Sequence, residues 1–484
     1  MTNNQGRKLR QGLGHPVIDV DGHLQELSTF FKADVLDHAR EIGGAGLIDR
    51  VRATPLTWDE AFMKGWFAMD EDERHDAWSP CMAWWGLPTD ARDRSASYLP
   101  ALLHERLEEI GIDFSVLYPS AGLMLPQIKD PEVRQVACRI YNLTNAELYR
   151  PYADRMTPVA VIPAVTPQEG IIELEHAVGV LGFKAIAVAY VRRPVPKVER
   201  QWPDAAGFAL HLDTFGLDSE HNYDPLWQRC VELGVAVGMH SSNQGFGSRR
   251  SLSSYTYNHI GCFAEAGEAT AKSLLLGGVT SRFPTLNFAF LEGGVAWASS
   301  LLVNLVSHWQ KRNGRAIKRL DPANLDVDQV EDLFSRYGPE RYRAHLGEVR
   351  RYFELPQHRP DDLDDFRRCG IDEPEDFRRL FVDRFFFGCE ADDPLNSLAF
   401  NAAVNPFGAR LQAVFGSDIG HWDVTDMSEV LCEAYELVEK NLFDEADFRD
   451  FVFTNPARLY LQGNPDFFAG TTCADAASAS ALIT

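Results

Sequence analysis

No stretch of this sequence is apolar for long enough to span a bilayer. Its first residues, MTNNQGRKLRQGLGH, are polar and lack the apolar core of a secretory leader. Basic charge is scarce: 47 Lys and Arg stand against 70 Asp and Glu, a net charge of −23 with a pI near 5.0. Such a balance disfavours nucleic acid or an anionic membrane surface as partner. The eight cysteines are scattered and none forms a C-x-x-C pair, which argues against a zinc knuckle and against a disulfide framework. A cytoplasmic protein with reduced thiols is the expectation.

What is present is an ordinary globular composition, 45% hydrophobic and 24% charged, spread over 484 residues. That length exceeds one common domain but suits a single large α/β barrel with insertions. Residues 1–16 read as a flexible arm, 17–468 as the barrel, and the small, polar 469–484 as a disordered tail. Short, continuously apolar runs recur at Val17–Val20, Phe114–Tyr118, Pro158–Ile162, Ala185–Ala189, Val235–Met239, Asn287–Leu291, Phe385–Cys389 and Ala413–Ser417. Runs of this kind are strands buried on both faces of a parallel sheet. Helices are predicted between most of them, with starts at Asp130-Pro131, Thr166-Pro167 and Asp224-Pro225. Eight such strands alternating with helices predict a (β/α)8 TIM barrel. Two mainly helical insertions interrupt it: about 24–105, rich in Trp, Met and acid, and about 307–384, charged and punctuated by Pro.

A TIM barrel gathers its active site at the carboxyl ends of its strands. Those ends carry Asp21 and His23, then His240, Glu292 and Asp418, with His421 and Asp423 just beyond. Each has an ordinary structural alternative: Asp418 as a helix N-cap, His23 in a turn, His240 hydrogen-bonded in the core, Glu292 at a helix start. Together, two imidazoles and three carboxylates at one mouth would repel one another unless a cation sat among them. His259, on the loop after the fifth strand, is open to three readings: ligand, acid or structural residue. Glu390 ends the seventh strand and is a candidate to orient a ligand, whereas His308 and His345 fall in charged helical sequence and read as surface residues. Lys184 precedes its strand's apolar core and is given no role in the site.

The segments IDVDGH, MHS, FPTLNFAFLEGG and FGSDIGHWD resemble the amidohydrolase-related branch of the amidohydrolase superfamily, from Val17 to about Asn455. That branch comprises metal-dependent hydrolases and decarboxylases on TIM barrels. The resemblance implies Asp21, His23, His240 and Asp418 as metal ligands. Two positions depart from the pattern: Asp21-x-His23 where His-x-His is frequent, and Glu292 where a histidine often serves acid–base chemistry. Both add carboxylate, which a second metal needs. Asp21, Glu26, Glu292 and Asp418 with His23 and His240 could hold two ions, with His421 a further candidate. Taken whole, insertions included, the chain resembles the TIM-barrel non-heme diiron monooxygenases of platensimycin and platencin biosynthesis. This resemblance implies two Fe per chain and hydroxylation of an unactivated carbon of a diterpenoid acid, free or CoA-linked, using O2 and an electron donor. The alternative is one Zn or Mn and a hydrolase or non-oxidative decarboxylase, with Glu292 or His421 moving the proton. A homo-oligomer is left open.

Overall fold

Strands that bury both faces need side chains that pack against their neighbours, and here Val, Ile, Ala and Phe supply them. In the computed structural model, which describes residues 5–57, 64–81, 88–354 and 363–481, every one of the eight apolar runs is a strand. They are β1 (Ile18–Leu24), β2 (Phe114–Pro119), β3 and β4 (Met156–Pro158 and Ala160–Ile162), β5 (Ile186–Val188), β8 (Val237–Met239), β9 (Phe288–Phe290), β10 (Phe385–Cys389) and β11 (Gln412–Phe415). β3 and β4 are two halves of one stave parted at Val159. The Val159 N–H bonds to Leu117 O (3.0 Å) and the Ala160 N–H to Ala185 O (3.0 Å), so the stave hands its pairing from β2 to β5. All these pairings are parallel, in the order β1-β2-β3 and β4-β5-β8-β9-β10-β11. The ring closes where β11 ends against β1: the Asp418 N–H donates to Asp21 O (2.8 Å) and the His23 N–H to Ile419 O (2.7 Å). The fold is a TIM barrel.

Phenylalanine fills the floor below β9 and β10. Phe385 is fully buried, with its ring 5.1 Å from Phe381, 5.3 Å from Phe290 and 6.2 Å from Phe288, in edge-on arrangements. Phe385→Ala is expected to cost about 3–5 kcal/mol, the usual loss for an aromatic deleted from a packed core. A urea midpoint unchanged from wild type would refute that packing.

The crossover helices start where Asp or Thr precedes Pro. Asp130 caps Pro131–Tyr149 by accepting the Glu132 and Val133 N–H groups, and Thr166 caps Pro167–Gly179 through the Glu169 N–H. Asp224 lies inside its helix (Asp224–Leu233) and pairs with Arg282 instead.

Helices Ser28–Ile42, Gly44–Ala53, Lys64–Ala68, Glu71–Asp76 and Ala91–Tyr98 fill the first insertion. Parts of its Trp-rich run, 58–63 and 82–87, lie outside the described residues. In the second insertion, helices Val327–Tyr337, Glu340–Arg343 and Leu346–Phe353 bury no residue of their own.

Residues 5–12, expected within a flexible arm, form a helix instead. Gly6 lets its backbone lie so close to Ile110 that a Cβ would come within 2.3 Å of the Ile110 carbonyl, and Arg10 pairs with Asp113. The tail expected to be disordered is likewise anchored at its start. Cys473 is buried, the Thr472 N–H reaches Asp154 O, and Ala474–Ala481 is helical. An antiparallel hairpin of β6 (Val191–Pro194) and β7 (Leu210–Asp213) was not expected. Its strands, VRRP and LHLD, are short and charged, and tertiary contacts secure them: Arg193 bonds to Asp213, Val165 O and the Tyr223 hydroxyl. No helix among the described residues is long and apolar enough to cross a membrane.

Candidate metal centre

β1 brings the first two candidate ligands to the mouth through an irregularity. Its register against β2 slips by one residue between Asp19 and Gly22, a β-bulge of the kind that re-aims side chains near active sites. Gly22 is required there: a Cβ would lie 2.7 Å from Asp19 Oδ2 and 2.8 Å from Ser115 Oγ. Asp19, fully buried beneath the site, accepts from Ser115 Oγ (2.6 Å), Ser417 Oγ (2.8 Å) and the Ser417 N–H (2.9 Å). It thus ties β1 to β2 and to the end of β11. Burial raises its carboxyl to about 6 despite those donors.

Above this tie six candidates converge. His23 Nε2 lies 3.2 Å from His240 Nε2, 3.2 Å from Asp418 Oδ1 and 3.6 Å from Asp21 Oδ1. His240 Nε2 lies 3.4 Å from both Asp21 Oδ1 and Glu292 Oε2. His421 Nδ1 stands 2.7 Å from Asp418 Oδ1, its ring stacks on His23 at 3.6 Å, and its Nε2 is 3.2 Å from Ser120 Oγ. Three groups each gather ligand atoms within 4.8 Å of one another: Asp21, His23 and His240; His23, Glu292, Asp418 and His421; and Glu292, Glu390, Asp418 and Asp423.

Two of these carboxylates are held in strained backbone. Glu292 has φ 58° and Asp418 φ 50°, in the left-handed region that non-glycine residues seldom occupy and that clusters at functional sites. Asp21 Oδ1, Glu292 Oε2 and both Asp418 oxygens are buried with no hydrogen-bond partner. Buried oxygens without donors cost free energy. Burial, then the charge of Asp423, holds the Glu292, Glu390 and Asp418 carboxyls well above the usual carboxylate range. Burial and the neighbouring His421 and His240 hold His23 well below the usual imidazole range, and burial takes His421 down to about 4. Burial thus favours the neutral form of these acids and of these imidazoles. Orphaned oxygens and imidazole nitrogens in one buried nest are the donor set of a divalent cation, and the residues fit one.

A pH dependence follows with a definite sign. Carboxyls with raised values keep protons in the metal-free protein at pH values where free carboxylates have lost theirs. Metal entry must expel those protons, so affinity is expected to rise with pH through the weakly acidic range. Calorimetric titration at pH 6 in buffers of different ionisation enthalpy checks this; a binding heat independent of buffer would refute it.

Glu26 is not among the gathered residues. β1 runs extended to Leu24 and no helical turn follows to swing Glu26 back to the mouth. Its carboxylate accepts the Ala121 and Gly122 N–H groups at 3.0 Å each, which positions a loop. Lys184 donates to Phe467 O (2.6 Å), away from these groups. His308 and His345 are exposed, each with Nδ1 against a backbone carbonyl. His259 does reach the site, its Nε2 4.0 Å from Glu292 Oε1, with the rings of Tyr255, Trp422 and Phe263 around it. Asp423 enters the ligand groups although its sequence context suggested no role. Its presence beside Asp418 and His421 in one motif was the available signal. Asp19 was hidden inside a run that reads as apolar.

A cavity of about 420 Å³ opens on this face, lined by Glu292, Glu390, Asp392, Asp393, Asp423 and Glu433 together with His259, Phe263 and Trp422. It can admit a small molecule over the ligand cluster.

The amidohydrolase family profile matches residues 105–461 of the chain. No curated protein matches it. Among solved structures, an amidohydrolase from Mycobacterium avium subsp. paratuberculosis K-10 aligns over 93% of this chain and all of its own (100%), with 17% identity and a TM-score of 0.51. A dihydroxybenzoic acid decarboxylase from Polaromonas sp. JS666 aligns over 94% of this chain and 99% of its own, with 14% identity and a TM-score of 0.46. The amidohydrolase resemblance read from the motifs is borne out, while nothing in these comparisons supports the finer one to diiron monooxygenases. The barrel, the ligand candidates at its mouth and a profile match across most of the sequence lead to one assignment: the chain belongs to the amidohydrolase family.

Proposed function

We propose that the mouth holds two metal ions and that the chain is a non-heme diiron monooxygenase, hydroxylating an unactivated C–H bond of a bulky, mainly apolar acid or its thioester. The observation that carries this reading is the surplus of carboxylates. Asp21, His23 and His240 form one ligand group and Glu292, Glu390, Asp418 and Asp423 another, and a third, of His23, Glu292, Asp418 and His421, shares residues with both. Together they offer more carboxylate than one ion needs. Several carboxylates with two or more histidines is the donor balance of dinuclear carboxylate iron sites elsewhere. The bound irons would supply the O2 chemistry.

The chain's own residues do the rest. Asp21, His23 and His240 would hold one ion; Glu390 and Asp423 would hold the other, with Glu292 and Asp418 placed between the two groups. His421 is fixed between Asp418 and Ser120, where its Nε2 can exchange a proton with the Ser120 hydroxyl. Tyr255, Trp422 and Phe263 pack around His259, whose Nε2 faces Glu292.

A second reading rests on the family itself, which supports it better than the first: a hydrolase or non-oxidative decarboxylase with one Zn or Mn. There Glu292, 3.4 Å from His240 and 4.0 Å from His259, would be the proton-transfer group. Elemental analysis of protein purified without added metal separates the two. About two Fe per chain is expected from the donor count; one Zn or Mn per chain would overturn the diiron reading.

A further inference from the structure

One carboxylate beneath the mouth has no lone pair left for a cation. Asp19 Oδ1 accepts the Asp21 N–H (3.1 Å) and the Ser417 N–H (2.9 Å), and Oδ2 accepts the hydroxyls of Ser115 (2.6 Å) and Ser417 (2.8 Å). These donors fill the acceptor sites of an ionised carboxyl group. By contrast, Asp21 Oδ1, Glu292 Oε2 and both Asp418 oxygens have no partner. The neighbours of Asp19 in β1, Ile18 and Val20, are apolar and fully buried. A hydrophobic residue would pack this strand as well as they do, and burying an acid is costly unless its hydrogen bonds are made.

The donors show what those bonds achieve. Asp21 is a candidate ligand, and Ser417 immediately precedes another, Asp418. A single oxygen, Asp19 Oδ1, therefore spans the seam between β1 and the end of β11 with a ligand on each side. Ser417 Oγ in turn accepts the Ile419 N–H (3.3 Å), so the serine brackets Asp418 from before and after. Ile419 O takes the His23 N–H (2.7 Å), and Asp21 O takes the Asp418 N–H (2.8 Å). This closed set of bonds fixes the backbone at Asp21, His23 and Asp418 together. Asp418 needs it most, because its φ of 50° is a strained conformation that persists where the surroundings over-determine it.

We infer that Asp19 is a positioning residue of the metal centre: its carboxylate sets the separation of Asp21 and Asp418 and, through Ser417, holds Asp418 in its strained backbone. It touches no cation itself. It governs how tightly, and in what geometry, the ligands of β1 and β11 hold one. The inference rests on the reading of the mouth as a metal centre and is independent of how many ions bind there.

Cobalt(II) is the probe, because its visible absorption reports ligand geometry apart from affinity. It is titrated into the full chain, freed of metal by dialysis against a chelator, as wild type, Asp19→Ala, Asp19→Asn, Ser417→Ala and Ser115→Ala. Asp19→Ala is expected to bind about 10–100-fold more weakly, the usual cost of removing a group that orients a ligand, and to shift the absorption bands. Ser417→Ala should move both readouts the same way by less. Ser115→Ala also removes one bond to Asp19 Oδ2, but from β2, which carries no candidate ligand. It should lower the melting temperature about as much as Ser417→Ala and leave the cobalt spectrum unchanged. Asp19→Asn keeps an oxygen for both N–H groups and should restore most of the affinity and the wild-type bands. Wild-type affinity and bands in Asp19→Ala would overturn the inference; where that variant does not fold, the same result in Ser417→Ala would do so. Equal band shifts in Ser115→Ala and Ser417→Ala would also overturn it, by reducing Asp19 to general packing. A wild type that takes up no cobalt sinks the metal centre and the clamp together. One ion per wild-type chain, with the losses above, supports the clamp and sinks the dinuclear reading alone.

Discussion

Asp418→Asn should leave purification with its bound metal largely gone and its barrel intact. Changing a group that merely orients a ligand typically costs 10–100-fold in metal affinity, so losing a ligand charge should cost more than about 100-fold. Both Asp418 oxygens are buried without a hydrogen-bond partner, and Oδ1 is within 3.2 Å of His23 and 2.7 Å of His421. Asparagine keeps the shape and tolerates the left-handed backbone at φ 50°. The metal-free variant should even gain stability at neutral pH. The Asp418 carboxyl is held well above its unfolded value by burial and by Asp423. A raised acid stabilises the fold while it stays protonated, below the unfolded value near 4, and that contribution is lost as pH rises through the folded value. Asn has no such loss. The metal-loaded wild type should melt above the variant, and the metal-free wild type at or below it. Full metal content in Asp418→Asn would remove Asp418 from the ligand set.

Glu292→Gln separates the two enzymatic readings. If Glu292 serves the second ion, metal content should fall from about two per chain toward one, and O2-dependent turnover should disappear with it. If it is instead the general base of a one-metal hydrolase, metal content should hold while the rate drops by roughly 10²–10⁴. In that case the reaction runs equally under air and nitrogen. Iron counted before and after dialysis, with turnover measured under both gases, gives the answer. Wild-type turnover under nitrogen at the aerobic rate, without reductant, would end the monooxygenase reading whatever the metal count.

Much of this site could be read from the sequence because a TIM barrel makes strand ends special. Asp21, His23, His240, Glu292 and Asp418 each end an apolar run, and buried parallel strands of this kind are short and unbroken enough to find by eye. Glu26 misled because three-residue spacing implies proximity only on a helix, and the chain there is extended. The β6–β7 hairpin was illegible because Arg193, Asp213 and Tyr223, distant in sequence, hold it more than its own strand preference does. The Gln5–Gly12 helix docks through a glycine and an ion pair to Asp113, neither of which carries a hydrophobic period. Asp19 shows the same limit. One acid in an apolar strand reads as noise until Ser115 and Ser417, brought in from other strands, surround it.

The seam that closes the barrel runs through the metal centre: Asp418 and Asp21, His23 and Ile419 bond backbone to backbone where the last strand meets the first. These partners lie nearly 400 positions apart, as Ser417 and Asp19 do at 398. A growing chain therefore cannot assemble the centre, and the candidate ligands Asp21 and His23 on β1 must wait, until residue 418 has emerged. Cation capture then becomes the final latch of assembly, and it adds free energy to the folded state alone. Amide exchange should register this. The Asp418 and His23 N–H groups are expected to slow on metal addition far more than the amides of β4 and β5 on the opposite wall.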